Sequence, residues 1–184
     1  MLIDITYKIT PQIAKEDQTS KSLAGHLGTH FDVMDKEFPL EYTRRAVVVF
    51  DVSKVVDRDI CADDIPMESI LENMFVAFYT GYIERQPYGS KAYFSQHPQL
   101  SHELIDALLD KGVSIIALDF GGVRRAPEHV PKDQLCADRG TFVIENLCNL
   151  KAVLDAGGRF TAHTYPMNYA GITGLPCRVI AEAE

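Results

Sequence analysis

Three side chains able to hold a divalent cation fall within the seven-residue run His26-Leu-Gly-Thr-His30-Phe-Asp32. Imidazole and carboxylate ligands suit zinc, and also manganese or iron. Geometry restricts how the three can act together. An extended strand puts them on one face but leaves His26 and Asp32 roughly 20 Å apart at ~3.3 Å per residue. A regular helix stacks His26 on His30 and turns Asp32 away. Convergence on one ion therefore requires a turn. Gly28, between the histidines, permits one, and Thr29 can support it through its hydroxyl. The run is not the helical HExxH pattern, because no glutamate follows the first histidine.

Other polar residues carry weaker signals. Asp119-Phe-Gly-Gly-Val-Arg124-Arg125 follows a predicted strand end, where an arginine can clamp a substrate carboxylate; a loop with surface ion pairs is the default for it. His97, His102 and His163 have no ligand-like spacing and read as surface or capping residues. Phe78, Tyr79 and Tyr82 read as core. Asp63-Asp64 reads as a solvated loop or cap, and Arg178 as one partner of a structural salt bridge.

The elements that must position these residues follow from apolar periodicity. Leu2–Ile9 alternates as a half-buried strand does, and Ala46–Val52 and Met74–Tyr79 read as buried strands. Ser101 caps a helix carrying Leu104, Ile105, Leu108 and Leu109 on one face, and Gly112 ends it. Val113–Leu118 is a continuous apolar strand, and Thr141–Ile144 is a short one that delivers Glu145. Leu147–Leu154 has helical spacing, while Phe160–His163 and Arg178–Ala181 are the last strands. Strands interleaved with helices indicate a mixed α/β class. With no repeat or linker, the 184 residues read as one domain, 1–184. The net charge of −8 argues against nucleic acid or anionic membrane as a partner. The start MLIDITYKIT lacks signal-peptide character, and no apolar run approaches the ~20 residues of a membrane span. The four cysteines form no CxxC pair and read as free thiols, so the expected location is cytoplasmic.

The wider text adds a resemblance. The run from His26 to Asp32 resembles the HxGTHxDxPxH signature of the cyclase family of metal-dependent hydrolases, which includes kynurenine formamidases and isatin hydrolases. Leu2-Ile-Asp-Ile-Thr resembles the family's opening strand, Val47–Val52 its "vvvDvs" strand and Phe78-Tyr-Thr-Gly81 its "rTGw" strand end. Phe142-Val-Ile-Glu145-Asn-Leu resembles its "iiEnL" segment, and Gly174-Leu-Pro-Cys-Arg178-Val its closing "GsPvRa".

The resemblance implies a compact β/α/β barrel-like fold, assembled as a homodimer or homotetramer, that acts on a small-molecule substrate. It implies hydrolysis of a C–N amide bond, in a formamide or a cyclic amide, with a zinc or manganese ion. Its metal ligands match His26, His30, Asp32 and Glu145. Two positions depart from the pattern. Met34 and Lys36 stand where the family has proline and its acid/base histidine. Lys36 can serve as a base only with a lowered pKa, or can stabilise an oxyanion, and Asp35 is the nearby alternative. Asp133 stands where the family has a further metal-binding histidine; either Asp133 or His129, four residues earlier, can take that place. The alternative expectation is a family homologue that binds a small ligand or serves in an assembly without turnover.

Overall fold

The computed structural model describes residues 1–16 and 24–183. Its strands are β1 (Leu2–Asp4), β2 (His30–Asp32), β3 (Arg44–Asp51), β4 (Phe75–Tyr79), β5 (Ile115–Leu118), β6 (Phe142–Glu145), β7 (Arg159–Pro166) and β8 (Gly174–Ala183). The helices are α1 (Pro11–Glu16), α2 (Tyr82–Arg85), α3 (Lys91–Ser95), α4 (His102–Asp110), α5 (His129–Asp138) and α6 (Leu150–Asp155). Neighbouring strands run β8-β2-β6-β5-β4-β3-β7, and β7 pairs back onto β8, so seven strands close a barrel. The mixed α/β, barrel-like expectation is what the chain adopts.

Strand β8 is the closing stave. One of its edges pairs antiparallel with β7 from Pro166↔Cys177 to Phe160↔Ala183. The other edge is shared: Gly174, Leu175 and Pro176 face β2, while Ile180, Ala181 and Glu182 face β1. Strands β3, β4, β5 and β6 are mutually parallel. Alternation along the strands builds two cores. Phe31, Val47, Phe75, Ile115, Ile144 and Val179 belong to one cluster, to which β2 through β8 all contribute. Val48, Val76, Ile116 and Val143 face the other way and pack with Leu104, Ile105, Leu108 and Leu109 of α4. Two residues apart on β6, Val143 and Glu145 share this outer face. Residues paired across adjacent strands also share a face, and the His30↔Glu145 register puts His30 and Asp32 there too.

Most predicted elements are present with shifted ends. Ser101 caps α4 as expected, its hydroxyl accepting from Leu104 N at 3.1 Å. The first strand stops at Asp4, with only a bridging pair at Thr6 and Leu147 beyond it. Leu147 is drawn into that pairing, so the helix predicted over Leu147–Leu154 begins only at Leu150. Helix α5 lacks an apolar stripe and was not predicted: its buried residues are Asp133, Cys136 and Ala137. Pro131 stands at its third position, where no intrahelical acceptor is lost. All four cysteines are free thiols. Among the described residues no helix is long and apolar enough to cross a membrane.

The parallel strands β4 and β5 are tied at their ends by one carboxylate. Asp119 is 1% exposed. It accepts from Thr80 N at 2.9 Å, Gly81 N at 2.6 Å and the Thr80 hydroxyl at 2.5 Å. Removing it strands two buried N–H donors. Asp119→Ala is expected to lower stability by about 3 kcal/mol in urea unfolding, against well under 1 kcal/mol for an ordinary surface change.

Candidate metal centre

The predicted turn exists, and Gly28 makes it with φ of +77°. His30 and Asp32 project from one face of β2, and His26 folds back to meet them. Its return depends on close backbone contact at Gly25, where an added Cβ would stand 1.9 Å from Gly174 O. Gly174 N donates to Ala24 O at 3.1 Å, which pins the segment to the start of β8. As a result His26 Nδ1 lies 3.0 Å from Asp32 Oδ1 and 3.0 Å from His30 Nε2. His30 Nε2 is 3.5 Å from the same Asp32 oxygen. These separations are close to the ~3.3–3.4 Å edges of a tetrahedron with bonds of ~2.0–2.1 Å.

A second group faces the first. Helix α5 places His129 and Asp133 one turn apart on one face, with His129 Nε2 3.2 Å from Asp133 Oδ2. Glu145 stands between the groups: Oε2 is 3.6 Å from His30 Nε2, and Oε1 is 3.6 Å from His129 Nε2. His26, His30 and Asp32 form one set of donors able to hold a metal ion, and His129, Asp133 and Glu145 form another. Asp133 and His129 thus come together, where the sequence offered them as alternatives.

The imidazoles are held in the orientation that ligation needs. His30 Nδ1 meets Gly28 O at 2.9 Å, and His129 Nδ1 meets Arg124 O at 3.0 Å. A carbonyl only accepts, so each Nδ1 carries a proton and each Nε2 faces the carboxylates, where it can give its lone pair to a cation in exchange for a proton. His26 Nε2 is 2.7 Å from the Thr173 hydroxyl, a partner not singled out in the sequence. Asn146 locks the turn: its side-chain amide donates to Gly28 O at 2.9 Å, and its own carbonyl accepts from the Thr29 hydroxyl at 2.8 Å. Tyr93 OH donates to Asn146 Oδ1 at 2.8 Å, and Gly28 N donates to Tyr88 OH at 2.7 Å.

Charge is concentrated here out of water. Asp32 and Asp133 are each 2% exposed, and Glu145 is 4% exposed. Burial opposes ionisation of Asp32, but the His30 and His26 imidazoles outweigh it and hold the carboxyl below its usual range. Burial also works against protonated His30, yet Asp32 and Glu145 raise its pKa. Asp133 has no such compensation. Burial, then the negative charges of Asp32 and Glu145, push its carboxyl well above the ordinary value. Among the described residues, Asp32 Oδ2 and Asp133 Oδ1 are buried without a hydrogen-bond partner. Buried carboxylate oxygens left bare between imidazole nitrogens fit a divalent cation.

Asp35 and Lys36 are not brought to this cluster. Lys36 Nζ lies 2.7 Å from Asp138 and 3.1 Å from Asp35, two exposed carboxylates. Those bonds, Asp138 first, raise its pKa, so it stays protonated and cannot accept a proton as a base. Gln134 further ties Asp35 to the outside of α5 with a 2.7 Å bond. The backbone explains the divergence: Met34 has φ of +56°, which a proline ring cannot adopt. The other weakly signalled histidines stay apart from the two donor sets, His102 pairing with Glu128 and His163 with Glu182. Arg178 makes the expected surface ion pair, with Asp4.

The Cyclase family model matches residues 3–124 of the chain. None of the curated proteins compared is significantly similar in sequence. Among solved structures, a potential metal-dependent hydrolase with cyclase activity is 24% identical at a TM-score of 0.80, covering 100% of this chain and 98% of its own. Isatin hydrolase A from Labrenzia aggregata, bound to benzyl benzoate, is 20% identical at a TM-score of 0.75, covering 100% of this chain and 94% of its own. Isatin hydrolase A from Ralstonia solanacearum is 18% identical at a TM-score of 0.72, covering 100% and 92%. At these identities the likeness is one of fold.

The crowding of carboxylates sets a test that needs no substrate. Asp133 binds a proton more tightly folded than unfolded, so ionising it costs stability as pH rises from its unfolded value of ~4 toward its raised folded value. In chelator, Asp133→Asn is expected to melt above wild type, with a gap that widens as pH rises above ~4. Zinc or manganese is expected to reverse the order at neutral pH, stabilising wild type more. A gap that narrows with rising pH, or a metal response equal in both proteins, contradicts the charge assignment.

Proposed function

We propose that this chain, which belongs to the Cyclase family, hydrolyses a C–N amide bond of a small molecule with a bound divalent cation. The observation that carries this reading is the pair of donor sets meeting at Glu145, with the rings of His30 and His129 oriented by backbone carbonyls so that each Nε2 faces the carboxylates. His26, His30 and Asp32 would hold one ion, and His129, Asp133 and Glu145 a second. Three carboxylates among the six donors favour manganese over zinc. A cation in this place supplies Lewis acidity, acidifying water and polarising a carbonyl oxygen.

The chain's own residues do the rest. The turn locked by Asn146 and Thr29 fixes His26 and His30 relative to Glu145. Rings of Tyr88, Tyr93 and Phe94 pack edge to face beside that turn, with centroids 5.1 to 5.9 Å apart, and stiffen it from that side. The substrates that fit this chemistry are formamides and cyclic amides.

Metal analysis of chelator-free protein, with turnover of formanilide and isatin, is the test. Stoichiometric zinc or manganese and metal-dependent hydrolysis are expected. His30→Ala is expected to lower kcat/KM by more than about a hundredfold, beyond the cost of losing only an outer-shell partner. Lys36→Met, which breaks an exposed ion pair, is expected to stay within about threefold of wild type. Protein that binds neither metal, or that turns over equally well after His30→Ala, sinks the reading.

A further inference from the structure

We infer that the two donor sets take different metals, zinc at His26, His30 and Asp32 and manganese at His129, Asp133 and Glu145, so that the loaded centre is a mixed pair; this rests on the reading of both sets as metal sites.

The sets differ in donor chemistry. The first offers two imidazoles and one carboxylate, the second one imidazole and two carboxylates. Among the described residues no further histidine or cysteine joins either set. Sharing of carboxylates between the ions does not level this difference. Glu145 reaches toward both sets, with Oε2 3.6 Å from His30 Nε2 and Oε1 3.6 Å from His129 Nε2. Lent to the first ion, it leaves two imidazoles there. The bare Asp32 Oδ2, lent to the second, only adds an oxygen. In every case the first ion keeps two nitrogen donors and the second keeps one. Imidazole nitrogen suits zinc, whereas carboxylate and water suit manganese, which binds weakest of the first-row divalent series. Two of the three carboxylates belong to the second set, so the manganese preference of the six donors resides there.

Geometry and mounting agree. The donor atoms of the first set close a triangle with edges of 3.0, 3.0 and 3.5 Å, near those of a zinc tetrahedron. They come from one strand and the turn before it, and that strand is paired on both sides. The second set is assembled from two elements, α5 and the end of β6. Its dissymmetry from the first resides in one residue. Asp133 Oδ2 lies 3.2 Å from His129 Nε2, and its Oδ1 is buried without a hydrogen-bond partner. An imidazole in place of that carboxylate would give the second set the composition of the first.

The test counts metals without reference to turnover. Chelator-stripped protein receives one equivalent of zinc and then excess manganese. Zinc is measured by elemental analysis and manganese by electron paramagnetic resonance. One zinc and one manganese per chain are expected, with the bound manganese giving the spectrum of an isolated ion. Manganese alone is expected to fill both sets and give the spectrum of a coupled pair. The preference for zinc over manganese is expected to be at least about tenfold greater at the first set than at the second. Asp133→His gives both sets two imidazoles, and His26→Asp gives both sets one. Each variant is expected to scatter the zinc, so that coupled manganese pairs reappear in the mixed sample. If one variant does not fold, the other carries the comparison. Coupled pairs in wild type under mixed loading, or their absence in the folded variants, overturns the inference. Turnover of formanilide and isatin is read separately: the expected mixed loading without hydrolysis sinks the amide reading and leaves the metal assignment standing. Protein that binds neither metal sinks both.

Discussion

Three carboxylates, Asp32, Asp133 and Glu145, are confined together almost wholly out of water. Two like charges about 4 Å apart repel by about 4 kcal/mol at an effective dielectric of 20. Left alone, such a group would neutralise itself by taking up protons or would swell open. The chain counters it unevenly. Asp32 faces two imidazoles at 3.0 and 3.5 Å, whereas Asp133 faces mainly His129 on the rim. The imbalance is visible in the opposite shifts of the two carboxyls. Divalent cations held by the two donor sets would neutralise all three, so the same crowding of charge that costs stability favours metal binding.

Only a stiff frame can hold that arrangement. A closed barrel has no free edge between β2, β6 and β8, and the His30↔Glu145 and His30↔Pro176 pairings fix the central imidazole from both sides. Because strand alternation is strict, a slip of one residue would send His30, Asp32 and Glu145 into the apolar interior beside Phe31 and Ile144. The interior core therefore guards the register of the polar face. Helix α5 supplies the other wall, and its buried Cys136 and Ala137 anchor it so that Asp133 cannot swing away.

This division explains what the sequence disclosed. His26, His30 and Asp32 stand close together in the chain, and the turn at Gly28 follows from asking how they could share one ion. Glu145 lies at the end of a strand that its apolar run announces. Helix α5 was illegible for a physical reason: the stripe it buries contains an aspartate, so the periodicity that marks a helix is broken by the functional residue itself. The joint placement of His129 and Asp133 could have been found only by reading their four-residue spacing as helical. Lys36 and Asp35 misled for the opposite reason. They follow the motif directly, yet the left-handed conformation at Met34 turns the chain outward after Val33. Adjacency in sequence survives one such residue poorly.

Arg124 shows how an ion pair outside the two donor sets can still position one of them. Arg124 closes a local circuit with Asp59 and Glu128, joining the Asp59 segment, the loop after β5 and the start of α5. That circuit fixes the Arg124 carbonyl, and the carbonyl fixes the tautomer of His129.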